Sequence, residues 1–97
     1  MILEVADIRV LAGKEAEFEQ AILRGLEQVI SKAAGAKSWK VQKGIESPNR
    51  FLLMIEWETL EHHTVGFRQS PAFQEWRGIV GPFFAEPPVV EHFQVLG

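Results

Sequence analysis

The apolar residues of this 97-residue chain change their spacing in a fixed order, and that order restricts the fold more than anything else in it. Residues 2–11, ILEVADIRVL, are β-branched and aliphatic with polar residues interspersed, which predicts a strand. After Gly13 the period changes. Phe18, Ile22, Leu26, Val29, Ile30 and Ala33 fall three and four apart, with Gly25 on the same stripe, which predicts an amphipathic helix over 14–33. Its early acids, Glu15, Glu17 and Glu19, suit the positive end of the helix dipole, and Gly35 is the stop signal. Residues 37–46 and 50–58 predict two strands joined through the turn residues Ser47-Pro48-Asn49. A short helix over roughly 60–69 follows. Ser70-Pro71 then starts another, serine at the N-cap and proline at the first helical position, with Phe73, Trp76, Val80 and Phe83 on one face. Gly81-Pro82 terminates or kinks it, and Pro87-Pro88 leads into a last strand over 89–96.

The resulting order β-α-β-β-α-β predicts the ferredoxin-like α+β plan: one four-stranded antiparallel sheet with the helices on one face. With 46% hydrophobic residues the chain can fill one core, and 1–97 reads as a single domain. The helices cover only one side of the sheet. The other side carries Leu52 and Met54 with further aliphatics from the first and last strands, so a two-fold homodimer packed sheet against sheet, a dimeric α/β barrel, is expected.

Composition removes several functions. Without cysteine there is no disulfide framework, thiolate zinc site or thiol nucleophile. A net charge of −3 argues against a nucleic-acid footprint, and the paired aromatics of RNA-recognition modules are missing. Lys37, Lys40 and Lys43 read as a solvated face. No apolar run is long enough to span a bilayer, and Glu4 stands where a signal peptide would carry a base, so a cytoplasmic protein with no membrane partner is expected. No serine sits in a nucleophile elbow, and no glycine-rich phosphate loop is present.

The titratable candidates are His62, His63, His92, Asp7, Arg77 and the strand glutamates. Adjacent helical residues point about 100° apart, so His62 and His63 do not share an ion unless His92 or a carboxylate converges on one of them; no metal is expected. On the short helix His63 shares a face with Leu60, Thr64 and Phe67 and points at the sheet. Trp57 has the parity of Phe51, Leu53 and Ile55. If that parity faces the helices, His63 and Trp57 are the candidate catalytic pair of an aromatic pocket. Phe51, Ile55, Phe67, Phe73 and Trp76 are then its substrate-binding walls, suited to a small flat aromatic molecule. The competing reading is a satisfied helical histidine among plain core aromatics.

The segment Ile55-Glu56-Trp57-Glu58-Thr59-Leu60-Glu61-His62-His63, followed by Phe67, Ser70-Pro71-Ala72-Phe73 and Trp76, resembles the antibiotic biosynthesis monooxygenase (ABM) superfamily. So do Gly13-Lys14-Glu15-Ala16-Glu17-Phe18 and Val90-Glu91-His92-Phe93, and the resemblance spans nearly the whole chain. It implies a dimeric α/β barrel with a pocket between sheet and helices in each protomer. It also implies oxidation of anthrones or quinols by O₂ with no metal, flavin or other cofactor, the deprotonated substrate being the electron donor. Trp57 matches the family tryptophan of the third strand, while Phe67 stands where many members carry a histidine three residues before the serine-proline pair. Haem-degrading relatives carry an axial histidine and an asparagine where this chain has Arg77 and Ala6, so haem degradation is disfavoured. The implied function is a cofactor-independent monooxygenase acting on a small aromatic quinol or polyketide-like molecule, with His63 as base or anion stabiliser. The alternatives are a non-oxidative isomerase of this fold and a small-molecule-binding dimeric module without catalysis.

Overall fold

A computed structural model describes residues 1–97. The elements are β1 (Ile2–Arg9), α1 (Glu15–Gln28), β2 (Ala36–Lys43), β3 (Arg50–Trp57), α2 (Pro71–Val80) and β4 (Val89–Gln94). They form one antiparallel sheet in the order β2-β3-β1-β4, the ferredoxin-like α+β arrangement. The expected order of elements is the observed one. A short 3-10 turn over Ile30–Lys32 follows α1, and another over Gly81–Phe83 follows α2, where Pro82 cannot continue the helix.

Strand parity decides which side chains meet the helices. Glu4, Ala6 and Ile8 of β1 and Phe51, Leu53, Ile55 and Trp57 of β3 are buried beneath Phe18, Ile22 and Leu26 of α1 and Trp76 and Val80 of α2. The two helices approach closely at Gly25: a Cβ there would lie 2.9 Å from the Trp76 ring, so only glycine admits the indole at this crossing. On the opposite face Val5, Leu52 and Met54 are half-buried, and Val89 and Phe93 of β4 are 63% and 49% exposed. Arg50 there donates two hydrogen bonds to Asp7, at 3.1 and 2.8 Å.

Three expected boundaries shift. The stripe predicted as one helix over 14–33 is helical only to Gln28; Val29 and Ile30 stay buried in the tighter turn that follows, so the apolar pattern persists while the helix does not. β2 ends at Lys43 rather than residue 46. Gly44 donates its N–H to the Arg50 carbonyl in the hairpin loop, and Ile45, in phase with Trp39 and Val41, is 90% exposed. β4 ends at Gln94, leaving Leu96 exposed beyond it.

The segment expected as a helix over 60–69 contains a π-helical stretch, His62–Phe67, in which the Arg68 N–H donates to the His63 carbonyl five residues back. The wider turn buries both His63 and Phe67 on the sheet side. Its start is held against the loop before β2: Gly35 adopts φ +85°, the His62 ring lies directly over it, and the Glu58 N–H donates to its carbonyl at 2.8 Å. A side chain at Gly35 would be strained in backbone and would collide with that ring. Ser70 takes the N-cap backbone conformation before Pro71, but its hydroxyl donates backwards to the Phe67 carbonyl at 2.6 Å, closing the π segment rather than capping α2.

Candidate active site

Between the sheet and α2 lies a cavity of about 130 Å³. Its walls are mostly apolar: Ala6 and Ile8 from β1, Leu53 and Ile55 from β3, Phe67, Phe73 and Trp76 from the helical side, and Val90 from β4. Four charged or titratable side chains also border it, Glu4, His63, Arg68 and Arg77.

Glu4 is the buried acid of this corner, 6% exposed. Strand register brings it opposite Ile55 of β3 on one side and His92 of β4 on the other. Its Oε1 accepts the Trp57 indole N–H at 2.9 Å and lies 3.3 Å from His63 Nε2. His63 Nδ1 is 2.7 Å from His92 Nε2. With Glu4 ionised and His63 neutral, all three contacts are satisfied when His63 donates from Nε2 to the Glu4 carboxylate and accepts at Nδ1 from His92. The His63 ring stacks on Trp57 with centroids 5.0 Å apart and planes 18° apart, and Phe67 packs on both.

Burial sets the protonation. Glu4 is pushed up to about 6 by loss of solvent, against the opposing pull of the Trp57 hydrogen bond and the Arg68 charge. His63 is pushed down to about 4, first by burial and then by the charges of Arg68 and His92. His92 is lowered by burial and by Arg68. At neutral pH the corner therefore holds a carboxylate and a neutral imidazole.

The structure brings His63, Ile55, Phe67, Phe73 and Trp76 to the cavity. Trp57 is fully buried behind His63 and reaches the cavity only through that ring and Glu4. Phe51, expected in the substrate wall, is not there: it packs edge-on against Phe18 at 4.8 Å, toward the far end of β3. Its parity is right and its height on the strand is wrong. Arg77 lies at the cavity with its guanidinium 5.9 Å from the Phe73 ring centroid. The sequence named the strand glutamates and His92 as candidates without singling out Glu4 or placing either beside His63, and it left out Arg68. The signal for Glu4 was available, since it is the one acid in phase with Ala6, Ile8 and Val10. Glu4 and His92 do converge on His63, but on its two opposite nitrogens, so the three do not surround a common point; no cluster of three metal-ligating side chains is present.

An α+β sheet-and-helix fold enclosing a small aromatic-walled cavity defines a class, and the comparisons give its name. The family model for antibiotic biosynthesis monooxygenase matches residues 1–78, and the chain belongs to that family. YczJ, an uncharacterized protein of Bacillus subtilis (strain 168), is 42% identical over 94 residues, which cover 97% of this chain and 98% of YczJ. A Bordetella bronchiseptica protein named for the same family is 43% identical and superposes with a TM-score of 0.92, over 98% of this chain and 96% of that one. A monooxygenase from the gene ActVA-Orf6 of Streptomyces coelicolor, solved in complex with nanaomycin D, superposes with a TM-score of 0.82 at 17% identity, over 99% and 88% of the two chains. At that identity the likeness is one of fold.

The two buried groups pull stability in opposite directions with pH. Folded His63 refuses a proton that unfolded His63 takes up, so its contribution is lost as pH falls from 6.5 toward 4. Folded Glu4 takes up a proton before the unfolded chain does, so its contribution grows as pH falls from about 6 to 4.5, by about 2 kcal/mol. Relative to the wild type, Glu4→Gln is expected to steepen the loss of stability between pH 7 and 4 by about that amount, and His63→Gln to flatten it. Urea midpoints measured across this range check both signs.

Proposed function

We infer that this protein is a monooxygenase of the ABM family that oxidises a single-ring aromatic quinol with O₂, the substrate anion supplying the electrons without a bound cofactor. The observation that carries the reading is the cavity: apolar and aromatic along its length, with a carboxylate and a neutral imidazole at one corner. Its size chooses among the family's aromatic substrates. A cavity of about 150 Å³ accepts benzene, so about 130 Å³ suits one ring. For the parent hydroquinone the reaction balances as C₆H₆O₂ + O₂ → C₆H₄O₃ + H₂O, giving a hydroxyquinone. Loss of a phenolic proton starts it, because the phenolate is the better electron donor to O₂. The aromatic walls hold the ring and shield it in part from bulk water. Within this scheme His63 stabilises the anionic corner as a neutral hydrogen-bond donor, Trp57 fixes the plane of the His63 ring, and Phe67, Phe73, Trp76 and Ile55 contact the substrate.

The same corner would serve a keto–enol isomerase, which also needs one proton moved and no oxygen; substrate-dependent oxygen uptake separates the two. The experiment is oxygen consumption by chelator-treated protein with a series of monocyclic hydroquinones. Uptake above buffer is expected, falling by about 100-fold in His63→Ala. Catalysed exchange of the ring hydrogens with solvent deuterium, without uptake, assigns the isomerase. Absence of uptake together with absence of aromatic binding contradicts both.

We further infer that residues 1–97 act as one unit, in the cytoplasm, as a homodimer joined through the open sheet face. Val5, Leu52, Met54, Val89 and Phe93 there form the apolar surface that a second sheet would cover. Light scattering at micromolar concentration is expected to give about 22 kDa, twice the 11.0 kDa chain mass. A value near 11 kDa contradicts the barrel.

A further inference from the structure

We propose that Glu4, through Oε2, is the proton acceptor of the cavity, with His63 and His92 as the residues that position it and Arg68 and Arg77 as the cations that hold the resulting substrate anion. The proposal rests on the reading of the cavity as a site for a phenolic ring and names the group that acts on it.

The assignment follows from counting which polar atoms remain free. Glu4 Oε1 is occupied by the Trp57 indole and by His63 Nε2. Oε2 makes no hydrogen bond, yet no buried polar side-chain atom of the protein is left sealed in without a partner. Oε2 therefore keeps open space beside it, and the open space bordered by Glu4 is the cavity. His63 offers no such atom, because Nε2 is held by Glu4 and Nδ1 by His92 at 2.7 Å. The other charged groups that border the cavity, Arg68 beyond the π segment and Arg77 on α2, are cations and accept nothing. Glu4 is thus the one acceptor among the titratable groups of β1, β4, α2 and the π segment that faces the cavity with a free atom.

Base strength points the same way. Burial pushes Glu4 up to about 6 and His63 down to about 4, so the carboxylate is the stronger base of the pair. Trp57 and His63 both grip Oε1, which leaves the free oxygen fixed in direction rather than rotating. In the step itself the phenolic O–H bond breaks, its electron pair stays on the substrate oxygen, and a new O–H bond forms at Oε2. Charge is conserved as the negative charge moves from Glu4 to the phenolate. Neither Arg68 nor Arg77 has a carboxylate within 4 Å, so both guanidiniums are available to that anion.

The test uses 4-nitrophenol, a single-ring phenol that O₂ does not consume and whose anion absorbs at longer wavelength than the acid. Binding is measured by calorimetry at about pH 6.5, just above the value near 6 of Glu4, where the free probe is mostly protonated. The phenolate band of the bound probe is recorded alongside. The wild type is expected to bind the probe as phenolate with almost no proton released to buffer, because Glu4 takes it up. Glu4→Gln, a mimic of the protonated carboxyl, instead releases close to one proton per phenolate bound, read from how the binding enthalpy changes with the ionisation enthalpy of the buffer. The infrared C=O stretch of a protonated carboxyl, growing in the wild type as the probe binds, gives the same answer without any variant. Proton release to buffer by the wild type equal to that of Glu4→Gln, or a probe bound as neutral phenol by the wild type, overturns Glu4 as the acceptor while leaving the aromatic cavity intact. Failure of the wild type to bind the probe overturns the phenol-binding reading and the assignment with it.

Discussion

The structure of the site depends on one buried carboxylate and what it accepts. Glu4 sits where β1 carries otherwise apolar residues inward, and three elements converge on it. The indole of Trp57 comes from the end of β3, the imidazole of His63 from the π segment, and His92 of β4 lies across from it in the sheet and completes the chain through His63. Burying a carboxylate costs several kcal/mol unless hydrogen bonds replace the lost water, and here only one oxygen is replaced. The remaining unfavourable energy appears as a raised affinity for a proton, which is the property a proton acceptor needs. The stacked Trp57, His63 and Phe67 rings make that corner rigid.

The surrounding fold serves this geometry through backbone details. An ordinary helix over residues 62–67 would place His63 and Phe67 differently from the π turn that buries both. That turn is anchored at its start by the His62 ring on Gly35 and at its end by the Ser70 hydroxyl on the Phe67 carbonyl. Gly25 lets α1 and α2 close together so that Trp76 reaches the cavity as a wall. The cavity is what these approaches leave between rigid aromatic side chains, and its volume, rather than the family's breadth of substrates, argues for a single ring.

Much of the fold was legible in the sequence because its evidence is periodic. Phe18, Ile22 and Leu26 at helical spacing and Phe51, Leu53, Ile55 and Trp57 at strand spacing give both the elements and their inward faces. Periodicity is blind where hydrogen-bond pattern changes without a change in burial, hence the missed 3-10 turn at Ile30 and the missed π segment. It is also blind to position along a strand: Phe51 and Trp57 share a parity, but six residues separate the Phe18 end of the core from the Glu4 corner. The resemblance to the ABM superfamily pointed to the region of Trp57 and His63, and the family model agrees over residues 1–78. It did not point to Glu4, because an acid in an inward strand position reads as an exception until register shows what stands opposite it. The Glu4–His92 pairing spans 88 residues of chain and has no local signal.

A carboxylate and a neutral, fixed imidazole share one buried corner, and the rest of the site is arranged around that pair. Nitrogen-15 NMR of the imidazoles, with carbon-13 detection of the Glu4 carboxyl, tests this arrangement directly across pH 4 to 8. His63 is expected to stay neutral with its proton on Nε2 down to about pH 4, and Glu4 to take up its proton near 6. A His63 that titrates near 6.5 with its two tautomers in exchange, beside a Glu4 that titrates near 4.5, would contradict it.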